Sequence, residues 1–280
     1  YEDFVQNLKI SVPENFNFGF DIVDEYARLA PKKRALVWCN DKGDEKILSF
    51  AELKTLSDKM ANTMQDLGIK KGDFVMTMVN RRWEYWVITI ACHKLGCVII
   101  PATFLLTPKD IAYRVNNANV KLLIATAEDD VLKHIVDAQD FCPDPKHIYT
   151  LSDGKPFPNI HNLIDKASAD FTPFESTTNE DMTLMYFTSG TTGNPKMVAH
   201  KYTYPLGFIV NAQFWQRVHD DGVHFTMAET VWAKCSWGKI YGQWIAGSAV
   251  FAYDYFGKFT PPDVLPLLSK YGITTFCAPP

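Results

Sequence analysis

Apolar positions recur at helical spacing from Phe50 through Leu53, Leu56, Met60 and Met64 to Leu67, which predicts one helix over 49–68. Its ends carry their own signals: Ser49 and Glu52 stand at capping-box spacing, and Gly68 can adopt the left-handed conformation that stops a helix. Past the polar turn 70–73 the period changes. A continuous apolar run at 74–79 predicts a buried strand, 83–94 a helix closed by Gly96, and 97–100 a second strand, which together make a βαβ unit.

Thr107, Pro108 and Asp110 open another helix, because proline at the first helical position gives up no needed donor. A strand at 122–125, a helix near 128–140 and a strand near 147–151 continue the alternation, and 171–179 reads as a surface loop. From Met182 the pattern restarts as strand, glycine-containing loop and short strand 197–200, then a helix through 208–218. Strands near 224–227, 249–253 and 274–277 alternate with helices around 237–245 and 263–271. Such alternation favours an α/β fold with mostly parallel sheets and right-handed crossovers. A further crossover helix is the expected continuation after Pro280.

Composition narrows the class. With 280 residues, 47% hydrophobic and 14% aromatic, the chain can bury the core of one large domain or two interlocked subdomains. A net charge of -4 argues against nucleic-acid and anionic-membrane partners, which need a basic face. The six cysteines form no CxxC pair and the seven histidines no HExxH or zinc spacing, so buried reduced thiols and no metal site are expected. The longest apolar run, 95–106, contains a proline and is shorter than the ~20 residues a membrane span needs. No signal peptide opens the chain, and a cytoplasmic setting is the expectation.

One segment carries chemistry. In Thr188-Ser189-Gly190-Thr191-Thr192-Gly193-Asn194-Pro195-Lys196, glycines let backbone N–H groups approach an anion, hydroxyls add donors and the lysine adds charge. Polyphosphate is the natural ligand. The run is not a Walker A loop, since Pro195 stands where the second glycine belongs, and no GxGxxG dinucleotide fingerprint occurs. A surface turn between two strands is the plainer alternative for residues of this kind.

From Met185 to Lys196 the run resembles the signature loop of the adenylate-forming superfamily, which contains acyl-CoA synthetases, firefly-type luciferases and the adenylation domains of peptide synthetases. Leu48 to Leu53, His93 to Gly96 and Val98 to Pro101 follow the family in order. The stretch 228–247, with Tyr253, Asp254 and Gly257-Lys258-Phe259, looks most like the medium-chain acyl-CoA synthetase branch. The resemblance implies layered α/β/α subdomains of a large N-terminal domain, one over about 70–200 and the other from about 1–69 plus 204–280.

The resemblance further implies that Thr188, Ser189, Thr191 and Thr192, with the amides of Gly190 and Gly193, hold the β- and γ-phosphates of ATP, and that Lys196 neutralises departing pyrophosphate. The implied substrate is a carboxylic acid, a medium-chain or branched fatty acid, activated with Mg²⁺ to an acyl-adenylate and passed to coenzyme A. The family's adenine, ribose and metal motifs, its hinge and its catalytic lysine do not occur here, so a truncated chain, inactive alone, is expected. Competing readings are a stand-alone nucleotide-binding module, an amino-acid-activating relative, and a phosphotransferase.

Trp232, Trp237 and Trp244, with Trp215 upstream, surround Lys234 and Cys235 with large apolar faces, and are candidates for an acyl tunnel. Core packing explains the same residues. Gly238 and Gly242 at helical spacing point to close packing of the helix. Glu229 departs from the family's usual aspartate pattern, which leaves open pairing with a substrate amine or a structural hydrogen bond. His200 faces either the nucleotide or a strand end.

Overall fold

A computed structural model of the chain describes residues 2–142, 147–190, 193–257 and 260–278. Its strands are β1 (Arg34–Asn40), β2 (Glu45–Ser49), β3 (Phe74–Met78), β4 (Val98–Pro101), β5 (Leu122–Ala125), β6 (His147–Thr150), β7 (Met182–Gly190), β8 (Gly193–Lys201), β9 (Val223–Thr226), β10 (Ala249–Asp254) and β11 (Thr275–Cys277). They divide into two sheets, one in the order β11-β9-β10-β1-β2 and one in the order β6-β5-β3-β4-β7-β8. Pairing is parallel except for β1 with β2 and β7 with β8. This is the mixed α/β architecture that the alternating pattern predicts.

The helices follow the local signals where those are strong. Helix Phe50–Asp66 begins at Ser49, whose Oγ accepts from the Glu52 amide while the Glu52 carboxylate accepts from the Ser49 amide. Thr107 and Asp110 form the same reciprocal cap, with Pro108 in the first turn of Pro108–Ala118. Helix Glu84–Leu95 is buried on every side. Its apolar sequence has no solvent face to reserve, which is what a helix enclosed by the core requires.

Three departures have physical causes. β1 and β2 add to the first sheet although no strand is expected there. β2 buries only Leu48, so it shows no alternation to read, whereas the run 35–39 in β1 is a legible apolar signal. The helix expected through 208–218 is replaced by a 3₁₀ turn, Tyr204–Phe208, and a single π turn, Asn211–Trp215. The helix expected around 237–245 breaks at Ile240 (φ −147°, ψ −80°) into Ala233–Lys239 and Tyr241–Ile245. Gly242 explains part of that arrangement: a Cβ there would lie 2.7 Å from the Phe208 carbonyl oxygen and 2.6 Å from the Ala212 Cβ, so the 3₁₀ turn and the π turn both pack directly on it.

Between the sheets lies a shared aromatic core. Trp244 is fully buried, its indole N–H donates to the Ala35 carbonyl at 2.8 Å, and its ring stacks on Phe18. Trp86 donates to the Lys239 carbonyl at 2.7 Å. His93 faces the Tyr241 hydroxyl at 3.0 Å through Nε2 and Thr183 Oγ1 at 2.8 Å through Nδ1. Burial holds this histidine near pKa 3, hence neutral. Lys94, also inaccessible, is compensated by Asp24 and Asp58 at 2.6 Å each, as a buried ammonium requires. None of the six cysteines is in a disulfide, and five are buried.

Candidate functional site

The glycine-containing segment closes an antiparallel hairpin. β7 and β8 pair through Phe187 with Met197, Thr188 with Lys196 and Gly190 with Gly193, so β8 begins earlier than the expected strand at 197–200. Thr191, Thr192 and the Ser189 side chain lie outside the described residues. Gly193 has φ +129°, a conformation that side chains with a Cβ avoid, and the space around it is open. Lys196 is exposed, and the Pro195 carbonyl accepts a hydrogen bond from Tyr113 at 3.1 Å. His200 sits within β8, half-buried and stacked on Tyr204 at 3.9 Å, and burial lowers its pKa.

β7 runs parallel to β4, and β4 to β3, so the hairpin tip projects from the carboxyl edge of the second sheet. At that edge the chain reverses direction across the sheet: β4 lies on one side of β3 and β5 on the other. Such a switch point is where open α/β sheets bind ligands. Just past β3, Asn80 takes a left-handed conformation (φ 49°), which asparagine tolerates better than most residues. Its carbonyl accepts from Thr230 Oγ1 at 2.5 Å. This turn delivers Arg81 to a cavity.

That cavity, about 480 Å³, lies beyond the carboxyl ends of β9, β10 and β11. Phe225, Met227, Trp232, Tyr253 and Tyr255 give it apolar walls, while Arg81, Glu229 and Lys239 supply its charges. Arg81 pairs with Glu229 through Nη1, donates to the Tyr255 carbonyl through Nη2, and stacks over the Tyr255 ring at 3.9 Å. Lys239 is wholly enclosed and donates to the Ala228 carbonyl at 3.1 Å; burial lowers its pKa to about 8. Cys235 responds to the same burial in the opposite sense and rises to about 12, which keeps it a thiol. A charged cleft of about 570 Å³, containing Lys33, Asp220 and Asp221, sits at the amino ends of β1, β9 and β10, away from the ligand-binding edge.

The five tryptophan-region candidates fall in three places. Trp232 is in the cavity wall. Trp215 and Trp237 pack together at 5.5 Å with Lys234 over the Trp237 ring at 5.7 Å. Trp244 belongs to the core, because the break at Ile240 turns its segment inward. Gly238 faces Thr226, which a Cβ would meet at 2.8 Å, so the helix Ala233–Lys239 lies close against β9 as expected.

Arg81 and Lys239 are the residues that sequence reasoning misses. Arg81 pairs with a residue 148 positions away, and no motif signals it. The one available hint is its place after a strand of a βαβ unit. Among the described residues no group of three or more His, Cys, Asp or Glu side chains converges to hold a metal ion. No described helix is long and apolar enough to cross a membrane.

Residues 23–280 match the family described as AMP-binding enzyme. The human acyl-coenzyme A synthetase ACSM3, mitochondrial, is 36% identical over 290 residues, covering 100% of this chain and 49% of its own length. The human ACSM4 protein, also named mitochondrial, is 34% identical over 96% of this chain. The chain thus spans about half the length of the curated relatives it matches. Among solved structures, an acyl-CoA synthetase from Brucella canis superposes with a TM-score of 0.86 at 20% identity, covering 99% of this chain and 52% of that one. An anthranilate CoA ligase, AuaEII, in complex with anthranoyl-AMP gives 0.82 at 20% identity. These two likenesses establish the fold. The mitochondrial designation of the curated relatives overturns the expected cytoplasmic setting.

Proposed function

The chain belongs to the AMP-binding enzyme family, and from that premise we propose that it supplies the acid-binding and phosphate-binding parts of an AMP-forming acyl-CoA synthetase acting on a medium-chain or branched fatty acid in the mitochondrion. One observation carries the reading: an apolar cavity with two buried cations lies at the carboxyl ends of one sheet, and a glycine-containing hairpin bearing the exposed Lys196 projects from the carboxyl edge of the other. A hydrocarbon tail fits the aromatic walls, and its carboxylate fits the cationic end.

In this reaction the carboxylate oxygen attacks the α-phosphorus of ATP, the bond to the β-phosphate oxygen breaks, and pyrophosphate leaves. The thiol of coenzyme A then attacks the acyl carbonyl and AMP departs with its electron pair. Thr188, Ser189, Thr191, Thr192 and the amides of Gly190 and Gly193 are the proposed donors to the phosphates. Lys196 is the cation proposed for the departing pyrophosphate. Holding the reactants in line and stabilising charge are the chief means available to the protein. Mg²⁺ is expected from the family, but the described residues offer no three-ligand cluster for it, so no step is assigned to the ion.

The division into subdomains, about 70–200 and about 1–69 plus 204–280, is likewise proposed; the membership of the two sheets supports it. Carboxylate-dependent exchange of labelled pyrophosphate into ATP by the full-length protein tests the function. Exchange that appears only when a fatty acid is added supports adenylation. Exchange indifferent to the acid contradicts it.

A further inference from the structure

The cavity beyond β9, β10 and β11 has two cationic side chains in its walls, Arg81 and Lys239, and one carboxylate, Glu229. The two partners of the ion pair differ in access to water. The Arg81 side chain is 8% exposed and that of Glu229 34%, so the arginine is a fixture of the interior while the glutamate borders solvent. Arg81 is held from several directions: Trp38 donates to its backbone carbonyl at 2.9 Å, Tyr255 accepts from Nη2, and the Tyr255 ring lies beneath the guanidinium. Glu229 is joined to it through Nη1.

The hydrogen-bonding capacity of this end of the cavity is incompletely used. Arg81 Nε is buried and has no acceptor among the described residues. Arginine presents its donors as a rigid fork that engages a carboxylate two at a time, yet here the fork meets Glu229 through one nitrogen.

Resting on the acid-activating function proposed above, we infer that Glu229 is an internal place-holder, a carboxylate that occupies Arg81 until the carboxylate of the substrate acid displaces it. On displacement Glu229 moves into the solvent it already borders. The incoming carboxylate takes over the Nη1 donor, while its tail lies against Phe225, Met227 and Trp232. The arrangement selects monocarboxylic acids with apolar tails. It also gives Arg81 a partner in the empty site, where an uncompensated buried guanidinium is costly. Arg81 is thereby a substrate-binding residue and Glu229 a positioning residue that competes with substrate.

The test uses full-length protein, hexanoate as the acid and hexanamide as its uncharged counterpart. Glu229→Gln removes the competing charge, so the KM for hexanoate in pyrophosphate exchange falls about tenfold, the size expected for one charge-assisted hydrogen bond. The KM for ATP and the inhibition constant of hexanamide stay where they are. Arg81→Gln raises the hexanoate KM instead. If Glu229→Gln raises the hexanoate KM, or shifts hexanoate and hexanamide alike, the inference is overturned. Tryptophan fluorescence during hexanoate titration without ATP, its Trp232 component taken as the difference from Trp232→Phe, separates this from the wider reading. Tighter binding by Glu229→Gln in a protein that shows no exchange retains the place-holder and removes the adenylation function. Unchanged or weaker binding removes the place-holder whatever the exchange assay shows, and this variant alters a partly exposed side chain, so the result stands even if Arg81→Gln does not fold.

Discussion

The hydroxyl of Tyr186 meets Ser236 Oγ at 2.5 Å, buried from solvent, and so ties the strand that leads into the glycine-containing hairpin to the helix Ala233–Lys239, which supplies Lys239 to the cavity wall. The hairpin and the cavity are therefore mechanically joined, although their residues lie 50 positions apart. Tyr186→Phe deletes this bond while keeping the ring's packing. It should cost about 1–2 kcal/mol, the range for one buried neutral hydrogen bond whose partner is left unsatisfied. Urea denaturation measures the loss. A raised KM for both ATP and acid in the same variant is the sign that the link positions the two sites.

The tryptophans separate in the same way under mutation. Trp244→Ala removes a fully buried ring together with its hydrogen bond to Ala35, and should destabilise by about 3–5 kcal/mol. Trp232 is 60% exposed, so Trp232→Ala should change stability by only about 0.5 kcal/mol. Its effect should appear as a higher KM for the acid. Thermal melting and acid titration together distinguish the core role from the cavity role.

Much of the scaffold is legible in sequence because its signals are local. The caps at Ser49 and Thr107 act within four residues, and the apolar runs that become β3, β4 and β5 are buried on both faces. The site is less legible because it is assembled from afar. Arg81 and Glu229 become neighbours only once both sheets have formed, and the break at Ile240, which sends Trp244 to the core and leaves Trp232 at the cavity, follows from contacts with the 208–212 region rather than from propensity. The glycine-containing run is recognisable without structure, but its pairing as an extended hairpin is a tertiary result, with β7 anchored on β4.

Acid should destabilise the fold through His93. Its folded pKa of about 3 lies below the ordinary value of 6.5, so the unfolded chain binds the proton more readily. The stabilisation from keeping this histidine neutral is complete above pH 6.5 and is lost as pH falls from there toward 3. Between pH 6.5 and 5 the loss from this residue is about 2 kcal/mol. His93→Gln should flatten the stability profile in that window, read as the difference in urea midpoint at pH 6.5 and pH 5. An unchanged slope contradicts the assignment.

Lys196 is exposed and should matter little to folding but greatly to phosphate chemistry. Lys196→Ala is expected to leave the melting temperature within a degree or two and to lower pyrophosphate exchange by about 10²-fold, the scale of one lost charge-stabilising contact. Circular dichroism melting and exchange rates on the same preparation decide the point.

Attack at the α-phosphorus of ATP distinguishes acyl-adenylate formation from phosphoryl transfer. The full-length protein is incubated with ATP, Mg²⁺, coenzyme A and a medium-chain fatty acid, and the nucleotide products are separated chromatographically. AMP and pyrophosphate are expected in equal amounts with acyl-CoA, and only when the acid is present. ADP as the product, or AMP released without any dependence on the acid, would contradict it.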